Sequence, residues 1–104
     1  MSELLQSEQL VSHRDRIHII KDVITKLVEY GELNQTALIS YCGLNLTKHK
    51  HFLTEMNVKG LVASIKVRDG KRTYNVYRPT QMGILFCAEI LEPYEKMFPR
   101  RFAK

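Results

Sequence analysis

Apolar positions recur at three- and four-residue steps through the first half and the last quarter of the chain, and at two-residue steps between them. Over residues 14–30, Ile17, Ile20, Ile24, Leu27 and Val28 mark one face of a helix, and Gly31 follows where a left-handed residue would end it. Asn34 is placed to cap a short second helix over residues 35–42, with Leu38 and Cys42 inward and Gly43 as its breaker. Asn45 or Thr47 opens a third helix running to about residue 59, with Leu46, His49, Phe52, Leu53 and Met56 on one side and Gly60 at its end. Residues 61–68 and 71–78 then alternate around Asp69-Gly70, which predicts a hairpin closed by a two-residue type I′ turn. With that loop Ala63 faces Val76 and Ile65 faces Tyr74 on the core side, while Ser64 meets Asn75 and Lys66 meets Thr73 outside. A last helix starts at Thr80 and must end or kink near Glu92, because Pro93 has no N–H to donate.

The predicted class is α+β and mainly helical: three helices, a two-stranded hairpin and a C-terminal helix. The tight link between the second and third helices reads as helix-turn-helix, with the hairpin as a wing. Three regions follow: residues 1–13 as a polar arm or short helix, 14–78 as the core, and 79–104 as a C-terminal helix and tail. A 104-residue chain of 44% hydrophobic and 26% charged residues can bury a core as one globular domain. There is no run approaching the roughly 18 apolar residues of a membrane span and no secretory-signal pattern at the N-terminus, so a cytoplasmic protein is expected. Cys42 and Cys87 lack CxxC spacing and sit in apolar helical patterns, as buried thiols would.

Charge changes this picture, because residues 48–78 hold eight of the sixteen Lys and Arg residues against two acids, Glu55 and Asp69. That segment is +6 and the remainder −1, so the whole formal charge of +5 belongs to one helix and one hairpin. A placed positive charge of this kind selects an anionic partner, and nucleic acid fits best: a helix end can enter a groove while a hairpin tip straddles phosphates.

The run Leu44-Asn45-Leu46-Thr47-Lys48-His49-Lys50-His51-Phe52-Leu53, the exit Lys59-Gly60-Leu61-Val62, and Tyr77-Arg78-Pro79-Thr80 leading to Gly83 resemble the winged helix-turn-helix domain, in particular small basic DNA-binding proteins of archaea. The resemblance spans about residues 14–92. It implies double-stranded DNA as partner, the third helix in the major groove, the wing on phosphates, and a dimer held by the last helix. A transcriptional regulator is the expected role. A non-specific chromatin-like protein and a winged-helix protein-interaction module are the alternatives, since one fold serves several uses.

If Leu46, His49, Leu53 and Met56 face the core, then Asn45, Thr47, Lys48, Lys50 and His51 face outward as candidates for bases and phosphates. On the wing the candidates are Lys66, Arg68, Lys71 and Arg72, with Arg68 opposed to Lys71 across the expected turn. The last helix is apolar nearly all round, which predicts a second copy packed on it, the alternative being the N-terminal arm with Leu4, Leu5 and Leu10 folded back over it within one chain. Ile84, Cys87, Ala88, Leu91, Tyr94 and Phe98 are the expected dimerisation residues, with Met97 and Phe102 as extensions. Arg100, Arg101 and Lys104 read as a solvated tail or a second DNA-contacting arm. No metal site or cofactor is expected, because His49 and His51 point to different helix faces, and His13 and His18 have no matched partner. No glycine phosphate loop or nucleophile motif suggests an enzyme.

Overall fold

In this computed structural model residues 16–100 are described. The expected arm over residues 1–13, together with Arg101, Phe102 and Lys104, lies outside them. The elements run α1 (Arg16–Tyr30), β1 (Leu33–Asn34), α2 (Gln35–Tyr41), α3 (Leu46–Val58), β2 (Val62–Asp69) and β3 (Arg72–Pro79), followed by a last helix in three stretches. Those stretches are α4 (Gln81–Phe86), a π-helical turn (Cys87–Leu91) and α5 (Glu92–Met97). The sheet is antiparallel in the order β1-β3-β2. No helix of the described residues is long and apolar enough to cross a membrane.

The caps are local chemistry. The Asn34 side-chain oxygen accepts from the Ala37 N–H at 2.8 Å, Asn45 from Lys48 at 3.0 Å, and the Thr80 hydroxyl oxygen from Gly83 at 2.9 Å. Gly31, Gly43 and Gly60 follow the first three helices with positive φ. One core gathers α1 (Ile19, Val23, Ile24, Leu27), α2 (Leu38, Ile39), α3 (Phe52, Leu53, Met56), the hairpin base (Leu61, Val62, Tyr77) and the last helix (Cys87, Leu91). Each large side chain fully withdrawn from water contributes about 1.5–3 kcal/mol. Gly83 is where the last helix crosses the hairpin base: a Cβ there would overlap the Leu61 carbonyl oxygen and lie 3.0 Å from its carbon. Thr80 tightens the same crossing by donating its hydroxyl to the Gly60 carbonyl at 2.6 Å.

Several expectations are corrected. In α1, Val28 is exposed and Ile17 and Ile20 are only partly buried, while His18, Ile19 and Val23 turn inward, so the buried stripe is rotated from the expected one. In α3, Leu46 is 43% exposed and His49 half-buried, because the core reaches only as far up the helix as Phe52. The sheet has three strands, β1 pairing Leu33 with Tyr77 and Asn34 with Val76.

The hairpin turn is Gly70-Lys71, not Asp69-Gly70, and every pair shifts accordingly: Asp69 faces Arg72, Arg68 faces Thr73, and Ile65 faces Val76. Only Gly70 has positive φ, as in a type II′ turn; type I′ would also force Asp69 into the left-handed region. The shift replaces the expected opposition of Arg68 and Lys71 with an opposition of unlike charges, Asp69 and Arg72. Of the expected core face, Val76 is buried and Ala63 partly buried, but that face does not stay covered along the hairpin's whole length. Val62 and Tyr77 on the other face enter the core at the base, whereas Ile65 and Tyr74 are 37% and 36% exposed where the strands leave the body.

Of the two outcomes expected near Glu92, an end is not seen: the last helix passes Pro93, but regular α-helix is interrupted just before it. The π turn just before it carries the Glu92 N–H to the Cys87 carbonyl, and this widening accommodates a residue with no donor and a ring that would press on the preceding turn. Cys87 and Leu91, expected at a dimer contact, are buried against α1 within the same chain. Arg100 is not a solvated tail: its guanidinium pairs with Asp22 of α1 at 2.7 Å and with Glu95.

Candidate nucleic-acid interface

Asn45 begins α3 with two reciprocal bonds. Its side chain accepts from Lys48, and its own N–H donates to Nδ1 of His49 at 2.9 Å, so the His49 ring closes the first turn from the side. His49 lies 5.9 Å from the Phe52 ring and His51 stacks 4.4 Å from it on the other flank. Arg16 reaches over Phe52 at 5.4 Å while bonding to Glu55, which also pairs with Lys59 at 3.1 Å. The Lys59 hydrogen bond, joined by the Arg16 charge, holds the Glu55 carboxyl below the usual carboxylate range. The expected core slot for His49 is therefore a capping position. Nothing in its sequence surroundings marked it except the four-residue spacing from Asn45.

This bracing leaves Asn45, Thr47, Lys48, Lys50 and His51 exposed along the first two turns of α3. Lys66, Arg68, Lys71 and Arg72 are likewise exposed on the outer hairpin. Lys66 and Arg68 share one face of β2 and Arg72 lies on the other, by the alternation of the strand.

The ion pairs divide the cations into two sets. Arg16 and Lys59 pair with Glu55, Lys21 with Glu95, Lys26 with Glu29, Arg78 with Glu32, and Arg100 with Asp22 and Glu95. Among the described residues, Lys48, Lys50, Lys66, Arg68, Lys71 and Arg72 make no ion pair, and of the other basic residues only Lys96 joins them. Asp69 opposes Arg72 in register without an ion pair. Thus Lys59 and Arg78 drop out of the basic segment as neutralised, and uncompensated charge concentrates on the start of α3 and the outer hairpin.

Of the expected dimerisation residues, Ile84, Ala88, Tyr94 and Phe98 are exposed on the last helix, with Met82, Leu85, Ile90 and Met97 also open. Ile84 and Ala88 border an apolar groove of about 190 Å³ whose opposite wall is Ile24, Thr25 and the exposed Val28 of α1. No group of His, Cys, Asp or Glu among the described residues is arranged to hold a metal ion.

No protein-family model matches the sequence, and no curated protein matches it. The fold is similar to the crystal structure of a PadR family transcriptional regulator from Eggerthella lenta DSM 2243, with a TM-score of 0.65 at 20% sequence identity over 93% of this chain and 84% of that one.

Proposed function

We propose that this protein is a winged helix-turn-helix transcriptional regulator that binds double-stranded DNA. The first turns of α3 enter the major groove, and the β2–β3 hairpin is the wing that lies on phosphate. Asn45 and Thr47 supply hydrogen-bonding groups at the base edges, Lys48, Lys50 and His51 lie between bases and backbone, and Lys66, Arg68, Lys71 and Arg72 bind phosphates. The observation that carries this reading is the division of the cations: among the described residues the body neutralises its own, Lys96 excepted, and the two elements suited to a groove do not. A fold shared with a transcriptional regulator supports the same role.

Anisotropy of labelled promoter-derived and random duplexes, titrated at about 50 and 200 mM salt, tests it. Steep salt dependence with a preferred sequence is the expected result, and no binding at low salt would overturn it. Equal, steep binding to every duplex would favour the chromatin-like role instead.

The protein acts as a homodimer in this reading, since half-sites on DNA are met by paired helices. The exposed Ile84, Leu85, Ala88, Tyr94 and Phe98 supply the apolar surface, and the groove beside Val28 receives the partner helix. The Leu85→Glu variant should shift light scattering from dimer to monomer, and a parent chain that is already monomeric at high micromolar concentration would refute the dimer. In that event the same apolar surface favours a second reading, a protein-interaction module.

A further inference from the structure

One of the hydrogen bonds that close the first turn of α3 depends on a proton. The Asn45 side chain accepts from the Lys48 N–H at 3.0 Å, and the Asn45 carbonyl accepts from the His49 N–H at 2.8 Å. A further bond runs the other way, from the Asn45 N–H to Nδ1 of His49 at 2.9 Å. A backbone N–H can only donate, so Nδ1 must carry a lone pair, and the neutral ring keeps its proton on Nε2. The same Nδ1 lies 3.2 Å from the Asn45 carbonyl oxygen. A proton taken up at Nδ1 makes it a donor to that carbonyl, and the Asn45 N–H loses its acceptor without the ring having to leave its place.

The surroundings make the two states unequal. The ring is half-buried and packs 5.9 Å from Phe52, which keeps it beside Asn45. An imidazolium there would add charge to the positive end of the α3 dipole. Lys48 and Lys50 flank it on the same helix, and Arg16 of α1 lies over Phe52. The helix packed before it, α2, carries no charged residue, and β2 meets α3 at its far end, where the Leu61 N–H bonds to the Met56 carbonyl. Glu55, the acid of α3, is held by Arg16 and Lys59, and among the described residues no carboxylate pairs with His49. A protonated ring would therefore withdraw a cap acceptor and place a cation where a helix tolerates one least. Both effects loosen the turn that holds Asn45, Thr47 and Lys48.

We propose that His49 is a positioning residue for DNA binding whose hold on the first turn of α3 is released by a proton. Neutral His49 keeps Asn45, Thr47 and Lys48 in the arrangement that meets the duplex, and acidification loosens it. The inference rests on the DNA-binding reading and adds to it a control by pH, within the range of about pH 5 to 8 where histidine changes charge. A histidine exposed toward phosphates, as His51 is in this reading, strengthens binding as pH falls. His49 acts in the opposite sense, because the bound duplex requires its neutral form. By linkage, affinity is then full above the pH at which His49 titrates in the free protein, and falls by up to about tenfold for each pH unit below it.

The test compares the parent with His49→Gln, which supplies a side-chain oxygen that accepts from the Asn45 N–H and does not titrate. Anisotropy of labelled duplex is read at one salt concentration from about pH 5 to 8. The two chains share every other ionisable group, so those contributions cancel in the ratio of affinities. That ratio, parent over variant, should fall by up to about tenfold per pH unit on the acid side of the His49 titration. A ratio that stays flat or rises as pH falls would overturn the proposal and leave the DNA reading intact. In the free parent protein, an NMR titration should move the Asn45 amide with the same midpoint as the His49 ring. An Asn45 amide indifferent to that midpoint would also overturn the proposal, whether or not His49→Gln folds. If the parent binds no duplex at any pH, the DNA reading and this control of it fall together.

Discussion

The division of the cations can be tested by removing members of one set and then the other. In the DNA reading, the six unpaired cations of each protomer displace condensed counterions, so log K for one protomer on its half-site should fall with log[salt] at a slope of about −5, or about 0.9 per phosphate contacted. Raising salt from about 50 to about 200 mM would then weaken binding by roughly 10³. Substituting Lys66, Arg68 and Lys71 together by Ala should bring the slope to about −2.7 and the same salt step to roughly 40-fold. None of the three holds an ion pair in the free protein, so the melting temperature should not change, and a weaker complex can be assigned to lost DNA contacts. The matched pair is Arg78→Ala and Arg68→Ala, each of which removes one positive charge from the same hairpin. Arg78 donates to Glu32 at 2.7 Å, so its deletion should leave the slope nearly unchanged. Fluorescence anisotropy at four or five salt concentrations reads both slopes. Equal flattening by Arg78→Ala and Arg68→Ala would refute the idea that ion pairing within the body decides which cations meet phosphate. An unchanged slope in the triple variant would remove the wing from the interface.

Gly83→Ala should destabilise the fold, because the added carbon overlaps the Leu61 carbonyl oxygen; a cost of about 3 kcal/mol less the roughly 1 kcal/mol that Ala gains in a helix predicts a melt about 10 °C lower by circular dichroism, and an unchanged melt would refute the close approach. His49→Ala should cost about 1 kcal/mol and speed hydrogen exchange at the Asn45 and Lys48 amides ahead of the rest of α3; uniform exchange through the helix would show that His49 does not hold its first turn. At Glu95, burial pushes the carboxyl up but hydrogen bonds and charge from Lys21 and Arg100 outweigh it, leaving the group below its ordinary value. A depressed carboxyl contributes stability above its unfolded value of about 4.3 and loses it as pH falls through the lower folded value, so Glu95→Gln should flatten the acid limb of a stability–pH curve and leave the neutral region's slope unchanged.

What could be read from sequence was whatever a few neighbouring residues decide. Asn34, Asn45 and Thr80 cap their helices through bonds spanning three residues, and the glycines after α1, α2 and α3 sit within reach of the carbonyls they close. The choice between two hairpin turns was not legible in this way. Asp-Gly fits type I′ and Gly-Lys fits type II′, and moving between them changes every cross-strand pair without moving any residue to the other face. The two-residue β1 strand, too short for any periodicity, depends on β3 lying beside it. The last helix was apolar on too many sides to show which side α1 would claim, so Leu91 was assigned to a dimer contact when it belongs to the core, and Cys87, legible as a buried thiol, was given that second role as well.

The candidate interface divides along the same line. Helical spacing was enough to turn Thr47, Lys48, Lys50 and His51 outward, and residue counts were enough to find the basic segment. Whether a given cation is available depends instead on partners far along the chain: Arg78 meets Glu32 across 46 positions, and Arg16 meets Glu55 across 39. Counting by sequence therefore gives Lys59 and Arg78 the same weight as Lys50 and Arg68, although the first two meet carboxylates already present and the others do not.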